Sequence, residues 1–240
     1  MANTYFKFKQ FAVHHDRCAM KVTTDSCLFG AWCAEELQKF RTQSFKLLDV
    51  GTGTGLLSLM MAQKSSFKID AIEMDTDAAK QAIENAAASP WHKQVAILHG
   101  DVLQWKPTTK YDVILSNPPF YEGDLKSYRL NKNIAHHSEG LRLENLLHFV
   151  RTYLTEEGLF FLLLPFKRWN DLEKYVAGCG LYLHKKIRIT QTPSHAPFRL
   201  MVSGSNINAE MVTGELCIKD DQQQYTKEFR ALLKDYYLYL

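Results

Sequence analysis

The chain has 240 residues, 46% of them hydrophobic and 23% charged, an ordinary globular composition with enough apolar content for a sizeable core. Its formal net charge of +3 is too mild to mark a nucleic-acid binder by itself, yet suits a polyanionic partner if the cations cluster. Five cysteines (Cys18, Cys27, Cys33, Cys179 and Cys217) without C-x-x-C spacing speak against a disulfide framework or zinc knuckle, and the longest apolar run, LFFLLLP, falls far short of the roughly 20 residues that span a bilayer.

In chain order, FKFKQF alternates Phe6 and Phe8 with Lys7 and Lys9, so a strand there would bury one face and charge the other. FKLLDV (45–50), FKIDAIEM (67–74), QVAILHG (94–100), YDVILS (111–116) and GLFFLLLP (158–165) read as buried strands. Between them GLLSLMMAQK, TDAAKQAIENAAAS and LRLENLLHFVRTYL carry helical patterning, with Asp75 or Thr76 as N-cap of the second. This alternation predicts a parallel sheet covered on both faces. LYLHKKIRIT and FRLMVSGS alternate more strongly and are expected to finish the sheet antiparallel at an edge. QYTKEFRALLKDYYLYL is expected to close the core with a helix burying Phe229, Leu232, Leu233 and Tyr236. MANTYFKFKQFAV has no long apolar core behind a basic cluster, so no secretory signal is expected and a cytoplasmic protein is.

LLDVGTGTG (47–55) lies where the first of these strands meets its helix. Gly51 and Gly53 allow a sharp turn and close approach to a ligand, and Gly55 a tight helix start. The spacing G-x-G-x-G misses the dinucleotide fingerprint G-x-G-x-x-G, because Leu56 stands where its third glycine belongs. Asp49 suits a positively charged ligand better than a pyrophosphate. Glu73, at the next strand end, is placed for ribose hydroxyls, and Asp101, after the third, for an adenine amine. Three acids and a glycine turn describe a nucleoside pocket without a phosphate grip, which S-adenosylmethionine fits better than NAD.

SNPPF (116–120) follows the fourth strand. Two prolines freeze an extended loop there. Asn117 can then offer its side-chain carbonyl and Pro118 its backbone carbonyl as paired acceptors for the two hydrogens of an exocyclic amine. Such an amine is a poor nucleophile until both hydrogens are held and its nitrogen turns pyramidal. Pro119 stiffens the loop, and Phe120 is placed to stack on the ring that carries the amine.

With LLDVGTGTG, Glu73, Asp101 and SNPPF in this order, residues 20–205 resemble class I S-adenosylmethionine-dependent methyltransferases carrying the N-P-P-aromatic motif. HDRCAMKVTTDSCLFGAW (15–32), IAHHSEGLRLENLL and the tyrosine-rich C-terminal stretch narrow the resemblance to the bacterial tRNA(Val) adenine-N6-methyltransferase family. That resemblance implies a Rossmann-like α/β fold with a mostly parallel seven-stranded sheet, helices on both faces and an antiparallel edge strand. It also implies methylation of adenosine 37 of a tRNA. The segment KVTTD would cover the cofactor, placing Lys21, Thr24 and Asp25 near its methionine end with Asn117 also among the cofactor contacts, so residues 1–44 are expected to form a strand and helix extension, a cofactor lid, in one structural unit with a methyltransferase domain spanning 45–240. The chain departs from the family where Phe120 replaces a common tyrosine and Thr23 a common glycine.

The pairs His14–His15 and His136–His137 lack a carboxylate cluster at ligand spacing, so no metal is expected. Arg17, Lys126, Arg129, Lys132, Lys185, Lys186, Arg188 and Arg199 are candidate phosphate contacts if they share a face. The expected partner is tRNA, met by a monomer without a membrane. Two other readings stay open: glutamine methylation on a release factor, and a non-catalytic nucleoside-sensing or RNA-binding module on the same fold.

Overall fold

The computed structural model describes residues 3–39, 45–118 and 141–240. An N-terminal hairpin, β1 (Tyr5–Lys7) and β2 (Ala12–His14), precedes helix α1 (Thr24–Gln38). The central alternation is β3 (Lys46–Val50), α2 (Leu56–Lys64), β4 (Lys68–Glu73), α3 (Thr76–Ala87), β5 (Val95–His99) and β6 (Tyr111–Ser116). After it come α4 (Leu143–Tyr153), β7 (Leu154–Pro165), α5 (Trp169–Gly178), β8 (Tyr182–Thr190), β9 (Arg199–Ser205), β10 (Val212–Cys217) and α6 (Lys227–Leu233).

Eight strands form one sheet in the order β10-β8-β9-β7-β6-β3-β4-β5. The five strands expected from the apolar runs are all parallel neighbours in it. Two details differ from the expected sheet. An eighth strand, β10, pairs parallel to β8, and the antiparallel strand is β9, which sits inside the sheet between β7 and β8 instead of at its edge. The reason is burial: Leu200, Met201 and Val202 on β9 are fully buried on both sides, whereas β8 and β10 are only partly covered. Val212 of β10 is 59% exposed, so its sequence carries little of the apolar signal by which strands are recognised.

The period-2 alternation of buried strands divides the core into two layers. Val113 and Leu115 of β6 and Phe161 and Leu163 of β7 face α1 and α2. Ile114, Phe160, Leu162 and Leu164 face α4 and α5. Helix α6 packs on α1, burying Phe229 and Leu233; it ends at Leu233, and Tyr236 is buried from the turn beyond, where its hydroxyl donates to the Met60 carbonyl at 3.1 Å. The end of this segment meets the N-terminal hairpin: Phe8 bridges Tyr237, and the Lys9 N–H donates to the Tyr236 carbonyl at 2.8 Å. Among the described residues no helix is long and apolar enough to cross a membrane.

Candidate active site

The strand order reverses between β3 and β6: β4 and β5 lie on one side of this pair, β7 and its antiparallel neighbours on the other. In open α/β sheets ligands bind at such a switch point, beyond the carboxyl ends of the strands. The glycine turn follows β3 and Asn117 follows β6, and Val50 pairs with Ser116 in register, so the two motifs leave adjacent strands side by side. The Ser116 hydroxyl locks this exit by donating to the Val50 carbonyl at 2.7 Å.

Gly51, Gly53 and Gly55 have φ of 70°, 56° and 82°, left-handed values that other residues rarely adopt. A Cβ on Gly51 or Gly53 would point into open space, which leaves the turn as a bare backbone cradle. Glu73, at the end of β4, accepts from the Gly53 N–H at 2.8 Å and from the Asp75 N–H at 2.9 Å, so one carboxylate ties the cradle to the start of α3. Asp75 is the N-cap of that helix, accepting from the Ala78 N–H at 2.8 Å. Asp101 sits just past β5; its Oδ1 accepts from the Leu103 N–H at 2.9 Å, and the neighbouring Gly100 N–H donates to the Glu73 carbonyl at 2.8 Å, which sets the two acids on adjoining strand ends.

Asp49 lies wholly buried beneath the turn. Its Oδ2 accepts from the Thr52 hydroxyl at 2.6 Å and the Ser58 hydroxyl at 2.8 Å, while its Oδ1 has no partner among the described residues. Burial pushes the carboxyl up to about 6, against the pull of the two hydroxyls and with a further push from the charge of Glu73. A buried carboxylate with one oxygen unmatched, under a cradle free of side chains, suits a ligand that carries positive charge.

The first turn of α1 supplies the opposite wall. Thr23 caps the helix, and the buried Ser26 turns its hydroxyl to Asn117, whose Nδ2 donates across 3.5 Å. That contact engages the nitrogen of the amide, so the group of Asn117 still available to accept is Oδ1. Thr24 begins the same helix, and Lys21 is exposed just ahead of it. Asp25 is held by Arg199 of β9, Oδ2 to Nε at 2.6 Å, so its charge is already matched. Pro118 is buried behind Asn117. Pro119 and Phe120, with Lys126, Arg129, Lys132, His136 and His137, lie outside the described residues.

The remaining basic candidates do not share one face. Arg17 pairs with Glu84, Lys185 with Glu36 and Arg188 with Glu215, while Lys186 Nζ sits 3.2 Å above the Trp169 ring on the other side of the sheet from Lys185. Burial pushes the Cys27 thiol up to about 12 and the Cys18 thiol to about 11, far from the range of a nucleophile. No group of three or more His, Cys, Asp or Glu able to hold a metal occurs among the described residues.

A family model described as the methyltransferase small domain matches residues 33–151. The chain is similar to a predicted O-methyltransferase from Agrobacterium tumefaciens, with a TM-score of 0.65 at 16% identity over 87% of this chain and 95% of that one. It also resembles the glycopeptide N-methyltransferase MtfA complexed with S-adenosylmethionine, with a TM-score of 0.54 at 11% identity over 73% and 93% of the two chains. At those identities the likeness speaks to the fold. Sequence similarity goes further: the chain is 39% identical to the tRNA1(Val) (adenine(37)-N6)-methyltransferase of Parabacteroides distasonis over 99% of both chains, and 38% identical to that of Citrobacter koseri over 98% and 95%. The chain belongs to the tRNA1(Val) (adenine(37)-N6)-methyltransferase family.

Within this member of the tRNA1(Val) (adenine(37)-N6)-methyltransferase family, three polar residues at the site have partners that a reading of motifs does not give, Arg199 among them, which meets a carboxylate instead of the expected phosphate. Ser26, Arg199 and Asn85 each meet a partner distant in sequence, by 91 positions for Ser26 with Asn117, 174 for Arg199 with Asp25 and 71 for Asn85 with His14. For Asn85 the available signal is a polar residue four positions after Gln81 on an alanine-rich helix, a spacing that puts both on one face.

Proposed function

We propose that the chain transfers a methyl group from S-adenosylmethionine to N6 of an adenosine in tRNA, with position 37 of tRNA1(Val) as the target its family membership favours. The observation that carries this reading is the placement of Asn117 beside the glycine turn, with its amide nitrogen engaged by Ser26. S-adenosylmethionine is the cofactor; bound there, it supplies an electrophilic methyl on a sulfonium. Asp49 Oδ1 provides the buried negative charge for its cationic end, Gly51 and Gly53 the close backbone approach, and Glu73 and Asp101 the acceptors for ribose and adenine. Lys21, Thr24 and Asp25 border the methionine end as part of the lid extension formed by residues 1–44, closing on the domain of 45–240.

Asn117 Oδ1 and the Pro118 carbonyl accept the two amine hydrogens of the target base and draw its lone pair out of the ring. No general base has to act before attack, because the proton is lost from the methylated amine afterwards. Stiffening by Pro119 and stacking by Phe120 are the roles the motif assigns to these two residues, and the base must leave its neighbours to reach them, as an anticodon-loop base does readily. A tRNA substrate places the reaction in the cytoplasm, carried out by a monomer.

The test offers labelled S-adenosylmethionine with separate pools of tRNA, ribosomal RNA, DNA and release factor, followed by digestion to nucleosides or amino acids. Labelled N6-methyladenosine from tRNA alone is expected. Label on glutamine, or binding without turnover in every pool, would overturn the assignment.

The cradle allows a separate prediction. Gly53→Ala forces a Cβ onto a left-handed residue, at about 1–2 kcal/mol of fold stability, and thrusts it into the open space above the turn. Urea denaturation should show that loss, and calorimetry a dissociation constant for S-adenosylmethionine raised about tenfold or more, larger than the strain alone would give.

A further inference from the structure

Asn85, on α3, is 2% exposed and takes no part in methyl transfer, yet its amide is bonded on both sides. Its Nδ2 donates to the Thr54 carbonyl inside the glycine turn at 2.9 Å and to the His14 carbonyl at 2.9 Å, and its Oδ1 accepts from the His14 N–H at 2.9 Å. We propose that Asn85 is a positioning residue that ties the N-terminal arm, residues 14–22, to the glycine turn, so that cofactor binding and the seating of the arm occur as one event. This rests on the reading of the glycine turn as the cofactor cradle.

Three further observations support the link. One turn earlier on the same helix face, Gln81, also 2% exposed, accepts from the Arg17 N–H at 3.0 Å. The arm then passes over the start of α3 to Cys18, whose thiol feels the charges of Glu73 and Asp75 after the larger effect of its own burial. At its far end the ring of His15 closes the arm, with Nδ1 accepting from the Val22 N–H at 3.4 Å and Nε2 donating to the Asn3 carbonyl at 2.9 Å. Val22 directly precedes the Thr23 cap of α1, one turn from the Ser26 that meets Asn117. The arm therefore runs from the cradle to the catalytic amide, and Asn85 is the group that bonds both the arm and the cradle.

The amide cannot be replaced by its isostere. An aspartate would still accept from His14 but has no N–H for the Thr54 and His14 carbonyls, and would set a negative charge against both. In the full-length protein, Asn85→Asp and Asn85→Ala are expected to raise the dissociation constant for S-adenosylhomocysteine, measured by calorimetry, by about tenfold, within the range set by losing buried hydrogen bonds. Turnover at saturating cofactor should stay within about threefold of the parent, because the transfer groups are untouched.

Hydrogen exchange separates positioning from general loosening. In the parent, S-adenosylhomocysteine should slow exchange in both the turn and residues 14–22; in the Asn85 variants it should slow the turn alone. Ile83→Ala, on the exposed side of α3, is the control and should match the parent. If the Asn85 variants fail to fold, Gln81→Ala should give the same split at about threefold. A parent that does not bind S-adenosylhomocysteine would sink the cradle itself, whereas a parent that binds and variants that bind as tightly, or still protect the arm, would sink only the role of Asn85.

Discussion

Asn117→Ala is expected to slow methyl transfer by on the order of 10²–10³ while leaving the dissociation constant of S-adenosylmethionine within about twofold, the signature of losing one preorganised polar group aimed at the transition state. The asymmetry follows from where the residue sits. Asn117 leaves β6 beside the glycine turn and borders the cofactor, but most of the contacts proposed to hold it belong to the ends of β3, β4 and β5, to the turn itself and to the start of α1. Removing the amide therefore takes an acceptor from the incoming amine and little from the ligand already bound. Ser26→Ala is the companion experiment. It leaves the carbonyl in place but frees the amide to turn over, so single-turnover rates should fall by about fivefold, less than for Asn117→Ala, again with cofactor affinity unchanged. Equal turnover in Asn117→Ala would remove the assigned role outright.

Asp49→Asn should weaken binding of S-adenosylmethionine by about 10- to 100-fold, the scale of a charge-assisted hydrogen bond, and at the same time stabilise the cofactor-free protein. The second effect comes from the sign of the shift. The carboxyl is raised from its ordinary 3.8 to about 6 by burial, so the native state holds its proton longer than the unfolded chain does. Its contribution to stability is present in full below about pH 4 and is lost as pH rises through about 6, at most about 3 kcal/mol. The Thr52 and Ser58 hydroxyls can still donate to an amide oxygen in the variant. Urea denaturation at pH 8 should find Asp49→Asn the more stable protein by about 1–3 kcal/mol, a gap that closes toward pH 4. Cofactor affinity of the parent should rise from pH 5 to pH 7 as the carboxylate forms, and that of Asp49→Asn should stay flat. Parallel affinity profiles for the two proteins would place the cationic end of the cofactor elsewhere.

The parallel half of the sheet is legible because its inner strands β3, β6 and the second half of β7 are buried on both faces and so appear as continuous apolar runs bounded by Gly or Pro. The positions of Asp49, Glu73, Asp101 and Asn117 followed from it, since each ends or follows such a strand. Helix α1 is legible only as part of a strand and helix extension, without bounds. It is buried on nearly all sides, from Cys27 through Trp32 to Leu37, and a helix without a polar face has no 3.6-residue rhythm to detect. The edge strand β10 failed for the opposite reason, being mostly exposed, with Leu216 its one deeply buried residue. The antiparallel strand lies inside the sheet and not at the expected edge because alternation reports how many faces are covered, and β9 is covered on both while its neighbour β8 is not. The contacts of Ser26 and Asn85, and the pairing of Arg199 with Asp25 where a phosphate contact is expected, are not legible because a single polar residue announces its partner only after the chain has folded.

The hairpin that leads into the arm docks on residues near the other end of the sequence: Phe8 bridges Tyr237, and the Lys9 ammonium donates to the Lys234 carbonyl at 2.5 Å, 225 positions away. Closing so large a loop is slow, and on a translating ribosome the surface that receives the hairpin does not yet exist when the hairpin emerges. The sheet can be assembled and the cradle formed while the segment above it still waits for its anchor, so nascent chains stay unarmed until Tyr236 and Tyr237 have left the exit tunnel.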